Sequence, residues 1–269
     1  MLQDIRDYQK FEEKDLRVIG RRIADGIESQ LLVMQTPFGY RRAAELLRPE
    51  REGSFAAILY LHWYEPQSHD SNRSQFVEEA KEMARGGTVC LLIETLWSDP
   101  DFFIKRTQME DIQNSMQEVV NIRHAMDLLL SQPNVDSNRF ACVGHDFGGM
   151  YGVLAGSLDQ RPTHYVVLAA TPRFPDWYLY SPPLEGQPRE AFIGQFSALD
   201  PITHIPTVSP ASVLFQFGAD DPHVPKERAE EFFNAAQEPK EIRWYESGHG
   251  LNADAAADRR SWLKEKLAL

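Results

Sequence analysis

The 269 residues carry 28 Lys and Arg against 40 Asp and Glu, a formal charge of −12, and 42% of them are hydrophobic. This length fits one large α/β unit or two small ones, and the apolar content fills a sizeable core, which excludes disordered and fibrous classes. A summed negative field repels phosphate backbones and anionic lipid, so nucleic acid and membrane surfaces are not expected as partners.

The first fifteen residues, MLQDIRDYQKFEEKD, are acidic and polar, with no basic segment leading into an apolar one. No apolar stretch approaches the roughly 18 residues of a membrane span. Cys90 and Cys142 both sit inside apolar runs and not in a spaced framework, as expected in a reducing, cytoplasmic compartment.

Along the chain, residues 30–35 and 40–49 flank a Pro-Phe-Gly turn and predict an N-terminal hairpin. Residues 55–63, 88–95, 139–146, 164–171, 212–219 and 241–247 are short apolar runs that read as buried strands. Between them, 74–87, 105–130, 147–158, 226–237 and 253–269 have helical period. In the longest, Met109, Ile112, Met116, Val119, Val120, Ile122 and Met126 form a stripe expected to pack on the sheet. The alternation predicts an α/β fold, a mostly parallel central sheet flanked by helices.

Residues 171–210 break that alternation. They hold eight of the 17 prolines, together with Phe174, Trp177, Tyr178, Tyr180, Phe192 and Phe196. Six large rings in a long connection predict an ordered lid that walls a pocket.

One predicted strand ends and one predicted helix opens at Gly144-His145-Asp146-Phe147-Gly148-Gly149. This has the form G-x-nucleophile-x-G, a tight turn that pushes its central side chain out over the sheet edge. The central residue here is Asp146. Further on, Gly218-Ala219-Asp220-Asp221-Pro222-His223 and Ser247-Gly248-His249-Gly250-Leu251 each follow a predicted strand. Nucleophile, acid and histidine thus stand in order at the C-terminal ends of three strands, where open α/β sheets place their sites. Asp221 is the expected acid, with Asp220 as fallback.

On these motifs the chain resembles the α/β-hydrolase superfamily over essentially its whole length, as a single domain spanning 1–269. The segments G-A-D-D-P-H-V-P and S-G-H-G-L are similar to its dienelactone-hydrolase-like branch. The resemblance implies an oxyanion hole built from the Phe147 amide and one just after the third strand, here Trp63 in the run Leu61-His62-Trp63-Tyr64. An elbow Asp resembles the haloalkane and fluoroacetate dehalogenases and the epoxide hydrolases. Trp63 stands in for the indole donor that haloalkane dehalogenases carry where this chain has Phe147.

Asp146 is therefore expected to displace a leaving group from an sp³ carbon. His249, oriented by Asp221, would then activate the water that hydrolyses the resulting ester. His62, Tyr64, Trp97, Trp177 and Tyr178 are expected to line an apolar substrate pocket. His145 is expected to be a structural hydrogen-bonder, and His223 a surface or packing residue. Glu65 and Glu94, each beside the end of a predicted strand, are expected to be structural or solvated, with entry into the cleft as the alternative. No metal-ligand spacing appears, so neither metal nor cofactor is expected. The partner is expected to be a small-molecule substrate, with homo-oligomerisation left open. An esterase or lactonase of dienelactone-hydrolase type, and a non-catalytic small-molecule binder on the same fold, remain as alternatives.

Overall fold

The structure, a computed structural model, describes residues 5, 7, 8, 10, 12 and 15–269. Nine strands form one sheet: β1 (Leu16–Ala24), β2 (Ile27–Gln35), β3 (Arg41–Pro49), β4 (Phe55–Leu61), β5 (Thr88–Ile93), β6 (Val135–His145), β7 (His164–Leu168), β8 (Ser212–Gly218) and β9 (Lys240–Tyr245). Their spatial order is β1-β2-β3-β5-β4-β6-β7-β8-β9. The six strands from β5 to β9 run parallel, and β1 to β3 extend that sheet as an antiparallel meander.

Every residue of β4 and of β5 is buried. Strands covered on both faces have no polar side to alternate with, which is why these runs read as continuous apolar stretches. Two apolar cores account for the covering. On one face Phe76, Met83, Trp262 and Leu263 pack around α1 (Val77–Gly86) and α6 (Ala253–Lys266). On the other, α2 (Asp111–Leu130), α3 (Phe147–Asp159) and α5 (Lys226–Ala235) contribute Val119, Met126, Leu154 and Phe232.

Three expectations need correction. The meander has a strand more than the expected hairpin: β1 pairs with β2 over 16–24, and most of its residues are exposed. The helix expected over 105–130 begins only at Asp111, after a single turn at Phe102–Lys105. The interruption sends Arg106 inward, where it pairs with Asp111 and donates to the carbonyls of Tyr178 and Ser181. Met109, counted in the apolar stripe, is consequently 96% exposed.

Residues 171–210 fold into the single turns Pro175–Tyr178 and Pro201–His204, the helix α4 (Gly186–Phe196) and a short 3-10 turn at Ile205–Val208. Phe174, Tyr178, Phe192 and Phe196 are buried in the main core. Only Trp177 and Tyr180 turn outward, so the segment is a fixed wall with two rings to offer.

Candidate active site

Three chain reversals at the C-terminal edge of the parallel strands converge here. Asp146 joins β6 to α3 with φ 54° and ψ −120°, a backbone conformation rarely adopted by a residue with a Cβ. Glycines make the turn feasible. A Cβ on Gly148 would lie 2.1 Å from the Leu61 carbonyl oxygen, and one on Gly144 would lie 2.3 Å from that of Gly148. The Asp146 amide donates to the Leu168 carbonyl at 2.8 Å, tying the elbow to β7.

The Asp146 side chain is almost wholly buried, and its Oδ1 has no hydrogen-bond partner. Burial pushes its pKa up to about 7, against the opposing influence of His249. Backbone hydrogen bonding from Tyr64 and Phe147 also lowers it.

His249 Nδ1 donates to Asp221 Oδ2 at 2.8 Å, which leaves Nε2 as an acceptor, buried and without a partner. The other oxygen of Asp221 accepts the amides of His223 and Val224 at 2.8 and 3.2 Å. Burial alone would raise the Asp221 pKa, but the hydrogen bond and charge of His249 and these amides hold it below the usual carboxylate range. The geometry therefore joins Asp221, and not Asp220, to the histidine.

A second chain of bonds fixes the histidine loop. Gln75 Oε1 accepts the Trp63 amide at 3.2 Å, and Gln75 Nε2 lies 2.6 Å from His145 Nδ1. His145 Nε2 lies 2.9 Å from the His249 carbonyl oxygen. A carbonyl only accepts, so His145 carries its proton on Nε2 and takes the Gln75 amide proton on Nδ1. Burial holds its pKa well below the ordinary histidine value, which keeps this neutral tautomer. His145→Leu should leave the Gln75 amide and the His249 carbonyl unpaired. The expected cost is about 2 kcal/mol in urea unfolding together with a fall in turnover.

Of the expected oxyanion donors, the Trp63 amide is taken up by Gln75, while backbone hydrogen bonding from Phe147, and from Tyr64 beside it, acts on the Asp146 carboxyl. Trp63 contributes its ring instead, stacked on His249 at 5.0 Å and 7° and packed on His145 at 4.5 Å.

Beside this machinery opens a cavity of about 510 Å³, lined by Trp63, Tyr64, Glu65, Phe103, Trp177, Tyr180, His223 and His249 among others. Asp146 lies beneath it and does not reach its surface.

Of the five expected pocket residues, Tyr64 and Trp177 line this cavity, and three do not. Trp97 is fully buried behind Phe147, its indole donating to the His62 carbonyl at 2.8 Å. Tyr178 is buried, with its hydroxyl 2.7 Å from that of Tyr151 and 3.2 Å from Ser115 Oγ. His62 is held by Thr95, Ser98 and the Trp63 carbonyl, and burial lowers its pKa to about 4. Its neutral ring fixes the loop that presents the Tyr64 amide. Glu94 accepts the Ala43 amide at 2.8 Å, a structural role.

Phe103 and His223 also line the cavity, although neither is expected there from sequence. His223 could have been found through Asp221, since the turn that orients the acid carries it within 5.3 Å of the His249 ring. Among the described residues, no three His, Cys, Asp or Glu side chains are grouped to hold a metal ion. No helix among them is long and apolar enough to cross a membrane.

No curated protein matches the sequence. Solved structures match the fold over nearly all of it. Acetyl xylan esterase 1 from Thermoanaerobacterium sp. JW/SL YS485 superposes with TM-score 0.77 at 16% identity, covering 99% of this chain and 98% of that one. The acetyl xylan esterase from Paenibacillus sp. R4 gives 0.76 at 17%, covering 98% and 99%. An S-formylglutathione hydrolase from Agrobacterium tumefaciens gives 0.69 at 14%, covering 94% and 99%. Identities this low establish the α/β-hydrolase fold alone. The family model described as Dienelactone hydrolase family matches residues 98–266, taking in the elbow, the acid turn and the histidine loop. That span is well over half of the sequence, and the chain belongs to the dienelactone hydrolase family.

Proposed function

We propose that this hydrolase acts on a small organic substrate with Asp146 as nucleophile. The observation that carries this reading is the elbow carboxyl itself: Asp146 takes the central position of the turn with φ 54° and ψ −120°, and its Oδ1 has no hydrogen-bond partner.

An Asp146 oxygen attacks an sp³ carbon, forming a C–O bond as the leaving group departs with the electron pair. Two buried indole N–H groups without partners, Trp63 Nε1 and Trp177 Nε1, flank His249 and are available to the departing anion. His249 Nε2 then takes a proton from water while the water oxygen adds to Cγ of Asp146. The resulting oxyanion is served by the backbone amides of Tyr64 and Phe147. Collapse expels the product alkoxide, which takes the proton from His249, and leaves Asp146 as a carboxylic acid with one oxygen from water, whose proton then passes to solvent to restore the carboxylate.

His249→Phe stops the reaction after its first step. Incubated with haloalkanes, epoxides and activated esters, this variant should accumulate an adduct on the peptide carrying Asp146, read by intact mass and fragmentation. Wild-type enzyme in a single turnover in ¹⁸O-water should place the label in Asp146. Ester turnover by wild type with neither adduct nor label would replace this reading with ester hydrolysis, the activity named for the two acetyl xylan esterase neighbours. Ligand binding without any turnover would support the non-catalytic alternative.

Only the ionised carboxylate attacks, and its pKa lies at about 7. The rate kcat/KM should therefore fall about tenfold for each pH unit below that value. A flat profile from pH 5 to 7 would count against Asp146. The two buried free thiols, Cys90 and Cys142, support a reducing, cytoplasmic setting.

A further inference from the structure

We infer that the cavity beside His249 is a receptor for an organic cation, so that the substrate carries an ammonium group and not a carboxylate. The inference rests on the reading of this cavity as the substrate site and adds a substrate class to it.

Five aromatic rings line the space. Trp63 lies flat against His249, and Trp177 stands edge-on to the same imidazole at 5.5 Å. Tyr180 continues the wall from Trp177 at 6.4 Å, and Tyr64 meets Phe103 at 5.1 Å. Ring faces present the negative side of their quadrupole, and a desolvated cation is held by them more strongly than an uncharged group of equal shape.

The charges around the cavity have the matching sign. Glu65 is its one carboxylate at the surface and accepts only the Gln67 amide, at 3.1 Å. It makes no ion pair among the described residues. Among the described residues, no Lys or Arg lines the cavity. Arg106 lies behind Phe103, its Cζ 4.9 Å from that ring, but it is almost fully buried and neutralised by Asp111. Beyond Tyr180 and His223, Arg228 is held by Asp176 and Glu231. An anionic substrate would find no Lys or Arg partner among the described lining residues, only the imidazoles of His223 and His249, and would meet Glu65.

The test uses three molecules of one shape and three charges: choline, 3,3-dimethylbutan-1-ol and 3,3-dimethylbutanoate. Calorimetric titration of the wild-type protein requires no turnover, so its outcome is independent of whether His249→Phe traps an adduct. Choline should bind about tenfold more tightly than the alcohol, with the carboxylate weakest. Glu65→Gln should lower the choline-to-alcohol ratio at least about threefold without changing the affinity for the alcohol. Trp177→Leu should weaken choline more than the alcohol. The inference is overturned by equal binding of choline and alcohol, by a preference for the carboxylate, or by the absence of saturable choline binding. A choline-to-alcohol ratio unchanged in Glu65→Gln would also overturn it.

Discussion

Asp146→Asn is expected to lower kcat by at least about four orders of magnitude while making the protein more stable above pH 7. The amide has the shape of the carboxylate but neither its charge nor its nucleophilicity, so the elbow, the two backbone amides and the His249–Asp221 pair stay in place as the first step is lost. The gain in stability follows from the raised pKa. An acid at about 7 in the folded chain and 3.8 in the unfolded chain keeps its proton on folding throughout that interval. Stability is fullest at low pH and is lost as pH rises from about 4 through 7, where the buried group is forced to ionise. The full displacement corresponds to on the order of 4 kcal/mol, an upper bound once relaxation is allowed.

Asn has no such dependence. The midpoint of unfolding of Asp146→Asn should therefore pull ahead of wild type progressively between pH 4 and 8. Asp200, whose burial raises its pKa to about 7 as well, is the same in both proteins and cancels. A variant that keeps full activity would end the nucleophile assignment. One that loses activity with no pH-dependent gain in stability would show that the carboxyl is not held as described.

The second large effect lies on the far face of the sheet. Glu79→Ala should cost about 3–5 kcal/mol, because it leaves a guanidinium buried without its counter-charge. Arg259 Nε donates to both oxygens of Glu79 at 3.0 and 3.1 Å, and Nη1 donates to Gln216 Oε1 at 3.0 Å. Gln216 Nε2 in turn donates to the Tyr245 hydroxyl and the Ala255 carbonyl, both at 2.8 Å. One buried network thus ties α1 and α6 to β8 and β9. At roughly 2–4 °C per kcal/mol for a chain of this size, the thermal midpoint should drop by on the order of 10 °C. Replacing both partners, as Glu79→Leu with Arg259→Met, should recover most of the loss, since no uncompensated charge remains. A single-variant loss below about 1 kcal/mol would mean that water reaches Arg259.

The sequence was most legible where burial left no alternative. Residues 55–61 and 88–93 are covered on both faces and could only be written as apolar runs. The elbow was readable because at Gly144 and Gly148 backbone meets backbone too closely for a Cβ. β1 was not readable, since an edge strand with residues 17–19 and 21–23 exposed has no alternation to detect. The helix start at Asp111 was hidden because Met109 fits the helical period, while the break depends on Arg106 reaching carbonyls some 70 residues away. The pocket failed for the same kind of reason. Trp97, Trp177 and Tyr178 are alike as aromatic residues, and only tertiary packing decides which of them turns into the core. Asp220 and Asp221 are likewise equal in sequence, and the bond from His249 separates them.

The burial of Phe174, Tyr178, Phe192 and Phe196 also constrains how the protein fails. A hinged cover would melt or open at a lower free energy than the rest of the chain, and activity would fade before structure did. Here the segment that carries Trp177 and Tyr180 to the pocket is anchored in the hydrophobic core by these four rings, so the wall cannot loosen alone. Thermal inactivation and global unfolding should trace a single curve.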